Sequence, residues 1–200
     1  MHDERLRGER TWLRALEARD LAAYKRATNS ATVGLWAGFP WPHSDATLER
    51  WYEHVRAHHG VDEYFFTVCL LGSDDFLGTV WLWNPRTRLD GLELSVFLTE
   101  EAGLGQGLGS DAVSTALDFI FGSYDVERVW LTTEAENARA MRAFQKAGFR
   151  QDGTIRHHFR RGGAWRDSAL LAILREDWEA LERRRSWELA AATDQAPDAR

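Results

Sequence analysis

At 200 residues the chain has the length of one domain, or of one domain with a tail. Hydrophobic residues make up 44% and charged residues 28%, the balance of a globular chain rather than a disordered one. The 31 acidic against 25 basic residues, a net charge of -6, argue against a general nucleic-acid binder, and the single cysteine, Cys69, excludes an internal disulfide framework and any multi-cysteine metal site.

No apolar run approaches the roughly 18 residues of a membrane span, and the opening MHDERLRGER lacks the apolar segment of a secretory signal. A cytoplasmic protein with neither nucleic-acid nor membrane partners is the simplest expectation. The unusual count is ten tryptophans, which point to a thick core or an aromatic binding surface.

In chain order, Arg10–Leu16 alternates as a strand, and Asp20 stands as N-cap to a helix reaching Asn29. Residues 32–43 break periodicity with two glycines and two prolines while carrying Trp36, Phe39 and Trp41. After Ser44 and Asp45, Leu48, Trp51, Tyr52 and Val55 recur at helical spacing. Tyr64–Leu71 and Phe76–Trp83 read as a hairpin, and Leu92–Leu98 as a further strand. A glycine-rich bend leads into a helix over Ser110–Phe121. Arg128–Thr133 is a strand, and Asn137–Ala147 a helix closed by Gly148. Phe149–Phe159 and Trp165–Leu174 form a last hairpin, followed by a charged helix from Arg175 to about Ala192 and a frayed tail. Strands and helices in this mixed order predict an α/β or α+β sheet domain.

The bend, Glu101–Ser110, places Gly103, Gly105, Gly107 and Gly109 between a strand and a helix, where backbone N–H groups can cradle a phosphate. A tight turn alone would also use them. The loop lacks the Gly-Lys pair of a phosphate loop and the spacing of a dinucleotide fingerprint, which leaves nucleotide and hydride-transfer readings weak.

Leu104-Gly-Gln-Gly-Leu-Gly109 resembles the pyrophosphate loop of the GNAT superfamily of N-acetyltransferases. Asn137-Ala-Arg-Ala-Met-Arg-Ala-Phe-Gln-Lys-Ala-Gly-Phe149 is similar to a second motif of that family. Gly162-Gly-Ala-Trp-Arg-Asp167 and Leu13-Arg-Ala-Leu-Glu-Ala-Arg-Asp20 resemble the hairpin and the opening of its ribosomal-protein N-terminal acetyltransferase (RimJ/RimL-type) branch. The resemblance spans roughly residues 8 to 178. It implies a mixed, mostly antiparallel sheet of six to seven strands flanked by about four helices. The domain would occupy residues 1–182, with 183–200 a helical extension and flexible tail.

The resemblance implies acetyl transfer from acetyl-CoA, or another acyl-CoA, to a primary amine by direct attack in a ternary complex. Leu104, Gly105, Gln106, Gly107, Leu108, Gly109 and Ser110 would hold the pyrophosphate. Val96, Phe97 and Leu98, on a strand splayed from its neighbour, would offer main-chain groups to the pantetheine and polarise the thioester. Asn137 would meet the CoA arm, although Asn also makes a good helix N-cap. Arg142, with Arg139, could meet the phosphates or simply lie on a helix surface. Glu93 would be the general base, since partial desolvation on an apolar strand favours its taking up a proton; a solvent-facing carboxylate is the plain alternative.

Phe144 stands where many relatives carry Tyr, so it cannot protonate the leaving thiolate. Water or another hydroxyl would serve, or no acid is needed for a thiol of pKa about 8.5. With Ala140 and Leu104, Phe144 leaves open a non-catalytic CoA-binding regulatory domain, or an enzyme using a longer or acidic donor such as succinyl-CoA.

Trp36, Phe39, Trp41 and His43 occupy the stretch that builds the acceptor cleft in this superfamily. They favour a protein or peptide N-terminus, an amino acid or another partly apolar amine over a polycation. Packing on the core explains the same residues. His54 and His58 have metal-holding spacing, but without H-E-x-x-H they read as a solvated helix face, so no metal is expected. Exposed tryptophan would favour a homodimer.

Overall fold

Strands whose two faces are both covered must be apolar on both, and the central strands here are. In the computed structural model the described residues are 6–36, 42–61, 63–83, 91–99 and 105–194, the side chains of Leu35, Trp36 and Asp194 excepted. β1 (Leu6–Arg7), β2 (Thr11–Ala15), β3 (Glu63–Leu70), β4 (Gly78–Trp83), β5 (Leu92–Leu98), β6 (Arg128–Glu134), β7 (Arg150–Arg161) and β8 (Ala164–Leu174) form one sheet in the order β1-β2-β3-β4-β5-β6-β8-β7. Only β5 and β6 run parallel.

The helices are α1 (Leu21–Thr28), α2 (Ala31–Trp36), α3 (Asp45–His58), α4 (Leu108–Ser123), α5 (Ala138–Lys146), α6 (Arg175–Glu179) and α7 (Ser186–Asp194). α4 packs its buried Ala112, Val113, Ala116, Leu117 and Ile120 against Val80, Leu82, Leu92 and Leu94 of the sheet. On the opposite face α1 and α3 enclose Leu16, Tyr24, Leu48, Val55 and Phe65.

The fold is the mixed, mostly antiparallel one expected, with eight strands in place of six or seven and three short helices more than expected. β1 has two residues, too few to alternate visibly, and exists by pairing with Leu13 and Trp12. α2 falls within a segment whose glycines and prolines hide it. The helix read as continuous over 175–192 is broken into α6 and α7. The buried Asp118 of α4 explains the break: it accepts from Trp178 Nε1 at 2.9 Å, from Arg183 at 2.6 and 2.8 Å, and from the Ser186 N–H at 2.8 Å. An unbroken helix could not turn all three toward one carboxylate.

Asp20 differs from its expected role as well. Its side chain caps no α1 N–H; it takes Arg14 at 2.7 and 2.8 Å and the Thr67 hydroxyl at 3.1 Å. A buried carboxylate needs such partners more than the helix needs the cap.

Candidate active site

β5 and β6 are hydrogen-bonded neighbours only at Leu92–Val129 and Glu93–Trp130. Beyond Glu93 each strand keeps its other partner: β5 continues along β4 to Gly78–Leu98, and β6 along β8 to Glu134–Ser168. The parallel pair therefore forks toward its carboxyl ends, where open α/β sheets bind ligands. Val96, Phe97 and Leu98 form one arm of the fork, as expected of a splayed strand. Glu93 stands at its apex, half-buried and facing away from α4, in register with Trp83 on one side and Trp130 on the other.

The glycine bend and the N-terminus of α5 close the open end. Gly105 and Gly107 have φ of 79° and 77°, the left-handed region that favours glycine. Gly107 occupies the N-cap of α4 without a side-chain cap, so the first-turn N–H groups of Leu108, Gly109 and Ser110 point away from any intrahelical carbonyl. That is an anion cradle. A Cβ on Gly105 would meet open space, whereas one on Gly109 would make only ordinary contact with Leu98. Ser110 Oγ donates to the Gly107 carbonyl at 2.9 Å, and buried Leu108 packs on Leu77 and Leu98. These features fit a pyrophosphate.

Asp111, an acid beside an anion site, is turned away from it. Its carboxylate accepts from the N–H groups of Glu9, Arg10 and Thr11 at 2.9, 3.1 and 2.8 Å and from the Thr11 hydroxyl at 2.7 Å. Gly8 permits that approach, because a Cβ there would lie 2.4 Å from Asp111 Oδ2. The same turn delivers Arg10, whose guanidinium donates to the Gln106 carbonyl at 3.2 Å. Lys146 Nζ lies 3.7 Å from where a Gly107 Cβ would be. Arg10 comes from the far end of the domain and has no sequence signal, whereas Lys146, in the last turn of α5, is the lysine of the Asn137–Phe149 motif.

Asn137 caps α5, its Oδ1 accepting from the Ala140 N–H at 3.1 Å, which leaves the amide nitrogen for other work. Arg139 and Arg142 are exposed on α5. Phe144 is buried against Phe149 with ring centroids 5.9 Å apart, a core position. Glu134, at the end of the other arm of the fork, is a buried acid that sequence reading misses. One oxygen meets Arg161 at 2.6 Å, and Oε1 has no hydrogen-bond partner.

On the α1 face, a cavity of about 190 Å³ lies beside the end of β5, lined by Ala23, Arg26, Ala27, Ser30, Val33, Phe76 and Thr99. The Thr99 hydroxyl is buried there without a partner. The aromatic wall on this face is Tyr24, stacked on Trp51 at 4.6 Å, with Phe76, Trp81 and Phe97. Burial pushes the Tyr24 hydroxyl above its ordinary range. Trp51 and Trp81 are half-buried and pack against the cluster of Leu16, Tyr24, Leu48, Val55 and Phe65. His43 is pinned, its N–H donating to Asn29 Oδ1 at 2.7 Å, and desolvation lowers its pKa. Phe39, Trp41 and Leu104 lie outside the described residues, as does the side chain of Trp36.

No helix among the described residues is long and apolar enough to cross a membrane. Residues 10–150 match the acetyltransferase (GNAT) domain family. "Probable N-acetyltransferase YjcK" of Bacillus subtilis (strain 168) is 32% identical over 119 residues, 59% of this chain and 65% of that protein. The spermidine N-acetyltransferase from Vibrio cholerae in complex with CoA and spermine has a TM-score of 0.75 at 24% identity, covering 84% of this chain and 98% of that one. Mycobacterium smegmatis RimJ in complex with CoA-disulfide gives 0.72 at 24% identity over 92% and 89%. These two structures share the fold, including the mixed sheet described above. The chain belongs to the GNAT family, and its residues 10–150 constitute an acyl-CoA-dependent N-acetyltransferase domain.

Proposed function

We propose that the protein moves an acetyl group from acetyl-CoA to the primary amine of a small, partly apolar acceptor, such as an amino acid or a peptide N-terminus. The observation that carries this reading is the fork between β5 and β6, with Glu93 at its apex and the glycine cradle at its rim. The cradle N–H groups of residues 107–110 take the pyrophosphate, with Arg10 and Lys146 supplying positive charge nearby. The acyl-CoA supplies an activated thioester. One main-chain N–H of Val96–Leu98 on the side away from β4 faces the carbonyl oxygen and stabilises the charge that develops there.

Glu93 receives the proton that the attacking amine loses as its C–N bond forms, directly or through one water. The C–S bond then breaks, and the thiolate takes its proton from water, since Phe144 has none to give. Arg26 and the Thr99 hydroxyl, toward the opposite end of β5 from Glu93, offer hydrogen-bond donors to a distal polar group of the acceptor, while Val33 and Phe76 take apolar surface beside it. Arg26 in the cavity lining supports a neutral or anionic acceptor over a polyamine.

A thiol-release assay over a panel of amines tests this directly. Peptide N-termini and amino acids should turn over faster than spermidine, and Arg26→Glu should narrow that gap. Glu93→Gln should lower kcat by about 100-fold or more while calorimetric binding of acetyl-CoA is kept. Normal turnover by that variant rejects Glu93 as the base; preference of the unaltered protein for spermidine rejects the acceptor class.

A further inference from the structure

We propose that His54, His58 and Glu63 form a divalent-metal site of the zinc type, which fastens the end of α3 to the start of β3. The helical spacing of the two histidines is visible in the sequence; the third ligand is not, because it arrives on the next element after a turn. In the fold their ligand atoms lie within 4.8 Å of one another, and His54 Nε2 is 3.1 Å from Glu63 Oε1. Metal bonds of about 2.0–2.1 Å at a tetrahedral angle place ligand atoms roughly 3.3 Å apart. A bound ion would draw the His58 ring in to close the remaining distance.

Protonation and orientation are already set for coordination. His58 Nδ1 lies 2.8 Å from the His54 carbonyl oxygen. A carbonyl only accepts, so Nδ1 carries the proton and the neutral ring presents its lone pair at Nε2. The two imidazoles stack at 4.0 Å, which holds the rings side by side. Glu63 is 6% exposed, and its other oxygen accepts from the Trp81 indole N–H. A buried acid held by an indole on one oxygen, and a histidine held by a carbonyl on its remote nitrogen, are the outer contacts that fix metal ligands in place. His59 is not part of the set: its Nδ1 accepts from the Phe65 N–H at 3.2 Å.

Two imidazoles and one carboxylate suit Zn²⁺ or Co²⁺ rather than Mg²⁺ or Ca²⁺, and three protein ligands leave a position for water. Glu63 pairs across the sheet with Trp83, and Trp83 with Glu93. The site therefore lies two strands from the fork, roughly 10 Å away, and holds α3 rather than touching the acyl group.

Metal-stripped protein titrated with Zn²⁺ should bind one ion per chain by calorimetry and gain thermal stability. Co²⁺ should give the intense visible bands of a four-coordinate complex. His54→Asn, His58→Asn and Glu63→Gln should each weaken Zn²⁺ binding by tenfold or more, and Trp81→Phe by about tenfold through loss of the outer contact. Circular dichroism checks that each variant folds. If Glu63→Gln does not, the two histidine variants, altered at partly exposed positions, carry the test. Zn²⁺ binding as tight in a folded Glu63→Gln, or in either histidine variant, as in the unaltered protein overturns the site. So does a His54–Glu63 pair that binds no ion.

Discussion

The two faces of the sheet are built from different materials. Toward α4 the packing is closed and mostly aliphatic: Val68, Val80, Leu82, Val129, Leu131 and Ile173 are all at most 1% exposed. Toward α1 and α3 the same strands present aromatic rings, the acids Glu63 and Glu93, and a cavity holding an unpartnered hydroxyl. The division runs through single strands, since Leu92 and Leu94 face α4 while Glu93 between them faces the other way. Alternation lets one strand anchor the core and serve the site without either role constraining the other. On the proposed function, stability belongs to one face and chemistry to the other.

The largest test removes an anchor on the closed side. Asp118→Ala strands Arg183 and the Trp178 indole and should cost about 3–5 kcal/mol, read as a lower denaturant midpoint, with α6 and α7 exchanging amide hydrogens faster. Leu94→Ala, next on the same side, should cost about 3 kcal/mol by leaving a cavity under α4, while KM for acetyl-CoA changes little. Its neighbour supplies the contrast. Glu93→Gln should change stability by less than about 0.5 kcal/mol and fall almost wholly on kcat. A large stability loss from Glu93→Gln, or a kcat loss from Leu94→Ala as large as that of Glu93→Gln, would break the division.

Gly107→Ala tests the rim. At φ 77° an alanine costs about 1–2 kcal/mol, and the cradle should loosen, raising KM for acetyl-CoA more than it lowers kcat. Gly109→Ala, with ordinary φ and only a light contact to Leu98, should be nearly neutral to folding.

The smallest effect is seen only at alkaline pH. Burial raises the Cys69 thiol from 9.0 to about 11, so the unfolded chain ionises first. Stability should hold below pH 9.0 and decline toward pH 11, and Cys69→Ala should flatten that limb.

The motifs carried much of the site because they are local. The glycine bend needs left-handed residues in one turn, and Asn137 caps the helix it begins, so spacing alone reveals both. Arg10, Glu134 and Glu63 were illegible for the opposite reason. Each gains its role from a residue on another element: the Gln106 carbonyl, Arg161 and the two histidines. Asp111 shows the same limit, since the direction of its carboxylate depends on residues 9–11, about a hundred positions away. The tryptophans divide likewise: Trp12 donates to the Leu70 and Ser73 carbonyls inside the structure, whereas Trp51 and Trp81 are half-buried against the α1 and α3 cluster.

By itself, then, the sequence determined the mixed order of strands and helices, the starts of α3 and α5 and the glycine bend, because period, capping and turn residues act over a few positions, while its resemblance to the GNAT family supplied the chemistry to expect. Only the tertiary structure decided where β5 leaves β6, which charges surround the cradle, why the last helix breaks at Asp118, and that a buried glutamate meets two histidines. Those depend on contacts between distant segments, which burial makes strong and which no local spacing encodes.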